Sequence, residues 1–178
     1  PESAGSDPGP ACYGRGGPLT ITDVNLLLGR FDPSKAPIPI HREPAESRLN
    51  ELLAQMQTAT GEITAREDLL ETLLQLAIEK MAAAIRRISV AEGYDPADHA
   101  LLAFGGAGPQ HACALASHLG ISTVLVPQHA GILSAVGLHQ ARAESFAERQ
   151  ILQSVTRCEN DLPAWLAELS SQARGQLI

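Results

Sequence analysis

The sequence of 178 residues is 44% hydrophobic and carries a formal net charge of -7. That size and apolar fraction suffice for one domain with a packed core and argue against disorder. The acidic balance, with Arg86-Arg87 the only adjacent basic pair, argues against a nucleic-acid or anionic-membrane partner. No apolar run reaches the roughly 18 residues of a membrane span. Aromatics are only 3%, so the core falls to Leu, Ile, Val and Ala. Cys12, Cys113 and Cys158 are an odd number at unrelated spacings, which suggests neither a disulfide framework nor a paired-cysteine zinc site and makes a reducing cytoplasm the expectation. The chain opens at Pro1, inside a glycine- and proline-rich stretch and without a methionine, as expected of a piece of a longer polypeptide.

Residues 1–17 hold Ser-Asp-Pro-Gly-Pro-Ala-Cys-Tyr-Gly-Arg-Gly-Gly, where prolines and glycines forbid regular structure and enforce turns. Such a loop either lines a site or only connects elements. Cys12 lacks a neighbouring histidine, which weighs against a nucleophile. Arg15 is the stronger candidate, since an arginine in a glycine-rich loop reaches a phosphate or carboxylate with two parallel hydrogen bonds. A short helix follows, with Thr22 as the expected N-cap, Leu26 to Leu28 on its apolar face and Gly29 as its stop. Asp23 falls in its first turn, where the helix dipole already favours a carboxylate.

An irregular proline-rich connection over 31–44 leads to an amphipathic helix expected over 46–57. The longest element is a helix of about seven turns that opens at Thr64-Ala-Arg-Glu67, a capping-box spacing, and stops before Gly93. Ala100 to Phe104 then reads as a strand buried on both faces. Gly105, Gly106 and Gly108 make the turn after it, and Pro109 suits the first turn of a helix running to Leu119. Bare backbone beside unpaired helix N–H groups is a place for an anionic or planar ligand; a tight connection without a ligand is the alternative. A second strand over 122–126 and a small-residue helix over 131–141 follow, and the order implies parallel strands joined by helical crossovers. A strand over 145–155 and a last helix over 161–176 complete the chain. His111 and His118 stand seven apart on one helix, but nothing supplies the further ligands a zinc site needs.

Two blocks carry a family resemblance. One is Asp7-Pro-Gly-Pro-Ala-Cys-Tyr-Gly-Arg-Gly-Gly17 with Thr22-Asp23; the other runs from Leu101-Leu-Ala-Phe-Gly-Gly-Ala-Gly-Pro-Gln-His111 through Val126-Pro127 to Leu133-Ser-Ala-Val-Gly137. With them the chain resembles the hydantoinase A and 5-oxoprolinase family, which includes ATP-dependent acetone and acetophenone carboxylases. The resemblance implies an α/β fold, a helix-rich fragment of the actin-like ATPase domain of sugar kinases, actin and heat-shock chaperones, with a short parallel sheet. It implies residues 1–143 as the C-terminal part of that domain and 144–178 as an edge strand and helix leading onward. Gly105, Gly106 and Gly108 would bind the adenosine side of ATP, and Ser134, Ala135 and Gly137 would form a hinge helix. The family's phosphate-binding hairpins have no counterpart in these residues. Arg15 becomes a candidate charge clamp and Asp23 a candidate for placing magnesium or water.

For the complete enzyme the resemblance implies ATP and Mg as cofactors and phosphorylation of a cyclic amide's carbonyl oxygen. The remainder of an A subunit and a B-type subunit or domain would be partners. A ketone carboxylase subunit and a module that serves assembly without binding a ligand remain as alternatives.

Overall fold

The computed structural model describes residues 3–177, which form two compact units, one ending at Leu133 and one running from Ser134. In the first, the glycine-rich loop passes through a 3-10 turn, Ala11–Tyr13, into the short helix α1, Ile21–Leu27. Its N-cap is Thr20, not the expected Thr22. That places Asp23 at the third helical position, from which the carboxylate reaches back to the Thr20 N–H at 2.7 Å and the Thr20 hydroxyl at 2.8 Å. At the other end of α1, the Arg42 guanidinium donates to the carbonyls of Leu26 and Leu27, adding to the Gly29 N–H that already reaches the Leu26 carbonyl at 3.1 Å.

Arg42 opens α2, Arg42–Thr60, which extends the expected 46–57 helix at both ends. The longest helix is α3, Arg66–Ala91. Its N-cap is Ala65, so the capping box expected from Thr64 does not form; Glu67 and Asp68 instead stand in the first turn, where the dipole favours them. Glu46 ties the starts of α2 and α3, accepting from Arg42 at 2.8 Å and Arg66 at 3.3 Å. The Arg42 hydrogen bond leads the causes that hold its carboxyl below the usual range.

β1, Ala100–Leu102, and β2, Thr123–Leu125, pair in parallel with Leu101 opposite Val124, and α4, Gly108–Leu119, crosses between them. The expectation that the first strand is buried on both faces fails. Leu101 and Val124 pack against the core, whereas Leu102 and Leu125 on the opposite face are about half exposed, at 50% and 51%. Side chains alternate across a strand, and the core packs against only one face of this sheet. The core is one aliphatic cluster drawn from four helices, including Leu26 of α1, Leu49 of α2, Leu70, Leu74 and Ile78 of α3, and Leu115 and Leu119 of α4.

The boundary between units falls at the start of α5, Leu133–Gln140, in which no residue is buried. The strand expected over 145–155 is absent: residues 141–152 have no regular structure, and a short helix α6, Val155–Cys158, follows. Without a ladder partner the segment bonds through side chains to α7, Leu162–Gln176. Arg149 meets Glu168 at 3.0 Å and stacks over Trp165, and the Ser145 hydroxyl donates to Gln176. Among the described residues no helix is long and apolar enough to cross a membrane.

Candidate functional site

Asp23 organises the first motif. Its carboxylate is fully buried, with one oxygen accepting from the Cys12 N–H at 2.7 Å. The other accepts from the Ala11 N–H at 3.2 Å and from both Thr20 donors. Both oxygens are thus engaged by the chain's own N–H and O–H groups, the hydrogen bonds that a buried carboxylate requires. Among the described residues no three His, Cys, Asp or Glu side chains converge on a metal position. With its oxygens taken up in this way, Asp23 anchors the loop to the start of α1.

The loop is closed from further sides as well. The Ala11 N–H also meets the Pro18 carbonyl at 3.0 Å, and the His41 N–H donates to the Cys12 carbonyl at 2.8 Å. Arg48 reaches from α2 to the carbonyls of Gly16 and Gly17, each at 3.2 Å. Gly17 is buried directly against Gly9, so that a Cβ there would stand inside the Gly9 carbonyl oxygen. Cys12 lies at the centre of this arrangement, fully buried. Burial first, then the Asp23 carboxylate, pushes its thiol from 9.0 up to about 12, so at neutral pH it is a packed, protonated and unreactive group. Arg15 differs from all of these: it is exposed and, among the described residues, makes one long bond, 3.3 Å, to the Ser6 carbonyl.

The second motif has the opposite character. Gly105 has φ +88°, a left-handed conformation that favours glycine, while Gly106 and Gly108 are exposed on ordinary backbone. Apart from chain neighbours and the backbone of the same helix, no heavy atom of the described residues lies within 4 Å of where a Cβ would stand on any of the three. The turn leads into α4, whose first residues carry no side-chain cap. An unobstructed strip of backbone therefore adjoins the start of α4, where Pro109 has no N–H and the Gln110 N–H meets the Ala107 carbonyl at 3.2 Å.

Arg15 and Asp23 share one loop-and-helix assembly, and the glycine turn belongs to another. Beside the shared aliphatic core, the two are linked by a polar pair that sequence reasoning missed: Asn25 of α1 and His111 of α4, both buried, with Nδ2 and Nε2 3.4 Å apart. A signal was present. His111 lies on the apolar stripe continued by Leu115 and Leu119, and Asn25 interrupts the apolar run of α1; a polar residue at each position is unexpected. Ser134, Ala135 and Gly137, expected as a hinge helix, lie exposed on α5 in the other unit.

Comparison with known proteins agrees with both motif blocks. The hydantoinase/oxoprolinase family model matches residues 1–146. The chain is 43% identical over 156 residues to the 5-oxoprolinase PfmaA of Pestalotiopsis fici, covering 82% of this chain and 12% of that protein. It is 38% identical over 141 residues to the caprolactamase subunit alpha of Pseudomonas jessenii, covering 77% of this chain and 20% of that protein. Among solved structures, ATP-dependent caprolactamase from Pseudomonas jessenii superposes with a TM-score of 0.73 at 30% identity, over 99% of this chain and 26% of that one. A nucleotide-free acetone carboxylase shares the fold with a TM-score of 0.63 at 23% identity, over 92% of this chain and 24% of that one. The helix-rich α/β architecture with a short parallel sheet, expected of an actin-like ATPase fragment, is common to all three. The chain spans between an eighth and a quarter of the length of these proteins, and within that span both its motifs and its fold make it a member of the hydantoinase/oxoprolinase family.

Proposed function

We propose that this chain supplies the adenosine-facing wall of the nucleotide site in an ATP-dependent enzyme that opens cyclic amides. The observation that carries the reading is the bare strip at Gly105, Gly106 and Gly108, with nothing of the described chain beyond its own neighbours and helix within 4 Å of the missing Cβ positions, at the head of an uncapped helix. A planar base or a ribose lies against such a strip without steric cost. Two relatives point to the substrate class by name, one a 5-oxoprolinase and one an ATP-dependent caprolactamase, both acting on ring amides. ATP would supply a phosphoryl group to the carbonyl oxygen, converting a resonance-stabilised amide into a group that water opens. The protein's part is to position the reactants and to neutralise charge, and the exposed Arg15 guanidinium is suited to an anionic group. Residues 1–143 belong to the ATP-binding domain in this reading, and 144–178 lead toward the next part of a longer subunit that works with a B-type partner. The three cysteines are free, which fits a reducing compartment such as the cytoplasm.

The test is Gly106→Leu in the complete enzyme. Because the space above Gly106 is empty and its φ is ordinary, the fold tolerates the side chain, and the thermal midpoint stays within about 2 °C of the parent, the span of a few tenths of a kcal/mol. KM for ATP rises at least about tenfold as the leucine fills the ligand's place. Parental KM for ATP in that variant rules out the adenosine wall. In the same assay Arg15→Gln lowers turnover about tenfold, the scale of one charge-assisted contact; a change in solubility alone removes Arg15 from the mechanism. Acetone carboxylase shares the fold, which keeps ketone carboxylation as the second reading. ATP consumption measured with 5-oxoproline, caprolactam, hydantoin and acetone separates the two.

A further inference from the structure

Asn25 and His111 make one contact between them, and each retains a buried polar atom with no partner among the described residues, Oδ1 of Asn25 and Nδ1 of His111. With the Asn25 amide donating to Nε2, the ring proton rests on Nδ1, so an acceptor and a donor both stand unanswered in the interior. Leaving such atoms unpaired is costly, and a core that needed only packing would be more stable with apolar side chains at both places. Burial first, then the nearby Arg30 charge, holds the imidazole below its ordinary pKa, which favours the neutral ring near neutral pH. The pair also occupies a particular place. Asn25 is two residues beyond Asp23, whose carboxylate holds the first motif loop, and His111 is three residues beyond Gly108 in the first turns of α4. It is a polar contact between the helices that follow the two motif blocks.

We propose that His111 is a positioning residue: through Asn25 it fixes the rotation and depth of the first turns of α4, and so the aim of the Gly105–Gly108 backbone, relative to the Asp23-anchored loop. Apolar packing alone permits a helix to slide or turn by fractions of an ångström, whereas a hydrogen bond between two buried, rotamer-restricted groups defines one register. The unpaired Oδ1 and Nδ1 are the cost of that definition. This role rests on the reading of the glycine turn as a nucleotide-facing wall.

The experiment compares variants of the complete enzyme by KM for ATP, kcat and thermal midpoint. His111→Leu, of similar volume and without polar atoms, raises KM for ATP about tenfold with kcat changed less than about twofold. His111→Gln keeps an acceptor for Asn25 and returns KM to within about threefold of the parent. Asn25→Leu removes the contact from the α1 side; it reproduces the effect, adds nothing when combined with His111→Leu, and carries the test should His111→Leu fail to fold. Unchanged KM for ATP in the leucine variants, or an equal rise in His111→Leu and His111→Gln, overturns the positioning role. Gly106→Leu measured alongside separates the two claims. If it raises KM while the His111 and Asn25 variants do not, the positioning role alone fails. If it leaves KM unchanged, the nucleotide-facing wall fails and the positioning role fails with it.

Discussion

Asp23→Ala is expected to cost the first unit at least about 3 kcal/mol, enough to leave a domain of ordinary stability close to unfolding at 37 °C. The carboxylate is wholly buried and receives four hydrogen bonds, from the N–H groups of Ala11, Cys12 and Thr20 and from the Thr20 hydroxyl. Of these donors, the Ala11 N–H has a second acceptor, the Pro18 carbonyl, but the Cys12 N–H has none given to it. Each donor orphaned in the interior costs about 1–3 kcal/mol, and loss of the helix cap adds about 1. Asp23→Asn preserves shape but offers one acceptor oxygen where two are used. Its amide nitrogen must then face a backbone N–H, so it recovers only part of the loss. Urea denaturation followed by circular dichroism reads both variants. A loss below about 1 kcal/mol for Asp23→Ala contradicts the anchoring role.

Gly17→Ala is expected to be nearly as severe, by a different route. The added methyl would occupy the position of the Gly9 carbonyl oxygen, with the Gly9 carbon 2.9 Å away. Both sides of the contact are backbone, and Gly17 is held in place by Arg48 on its own carbonyl. No side chain is available to rotate aside, so the loop must open, at about 3 kcal/mol or more. Gly16→Ala is the control. Nothing stands within 4 Å there, and the cost is only the left-handed φ of +78°, about 1 kcal/mol. Equal losses in the two variants, measured by thermal unfolding, would mean that the loop gives way at little cost and that the Gly9 contact does not set the requirement at Gly17.

How much of this was legible in the sequence depended on the range over which each feature is determined. The strand, glycine turn and helix from Ala100 to Leu119 follow from local rules and are observed, as is the long α3. The dipole argument placed Asp23 near a helix start, but its partners at Ala11 and Cys12 lie twelve and eleven residues upstream and were beyond local reading. The expected cap at Thr22 failed because that donor set selects the third helical position for the carboxylate. The strand expected over 145–155 needed a partner strand, which apolar spacing cannot supply, and an arginine on an indole took its place. Asn25 and His111 stand 86 residues apart, so their pairing follows from how α1 and α4 pack.

The two-ended attachment of α1 has a consequence for how the chain acquires its structure. Seven residues are too few for a helix to persist alone in water, where about 12–15 is the practical minimum. α1 is held at its start by the loop bonds to Asp23 and at its finish by the Arg42 donors from α2. Neither clamp exists until its partner segment has arrived, so loop, α1 and the head of α2 come together as one cooperative step over a short stretch of chain. The parallel pairing of β1 with β2 closes separately, around α4. Native-state hydrogen exchange registers this directly: the amides of Cys12, Thr20 and Val24 open with a common free energy, distinct from that of the Ala103 amide on the strand pair. Exchange of Val24 well ahead of Cys12 would show that α1 frays on its own and that the clamps act independently.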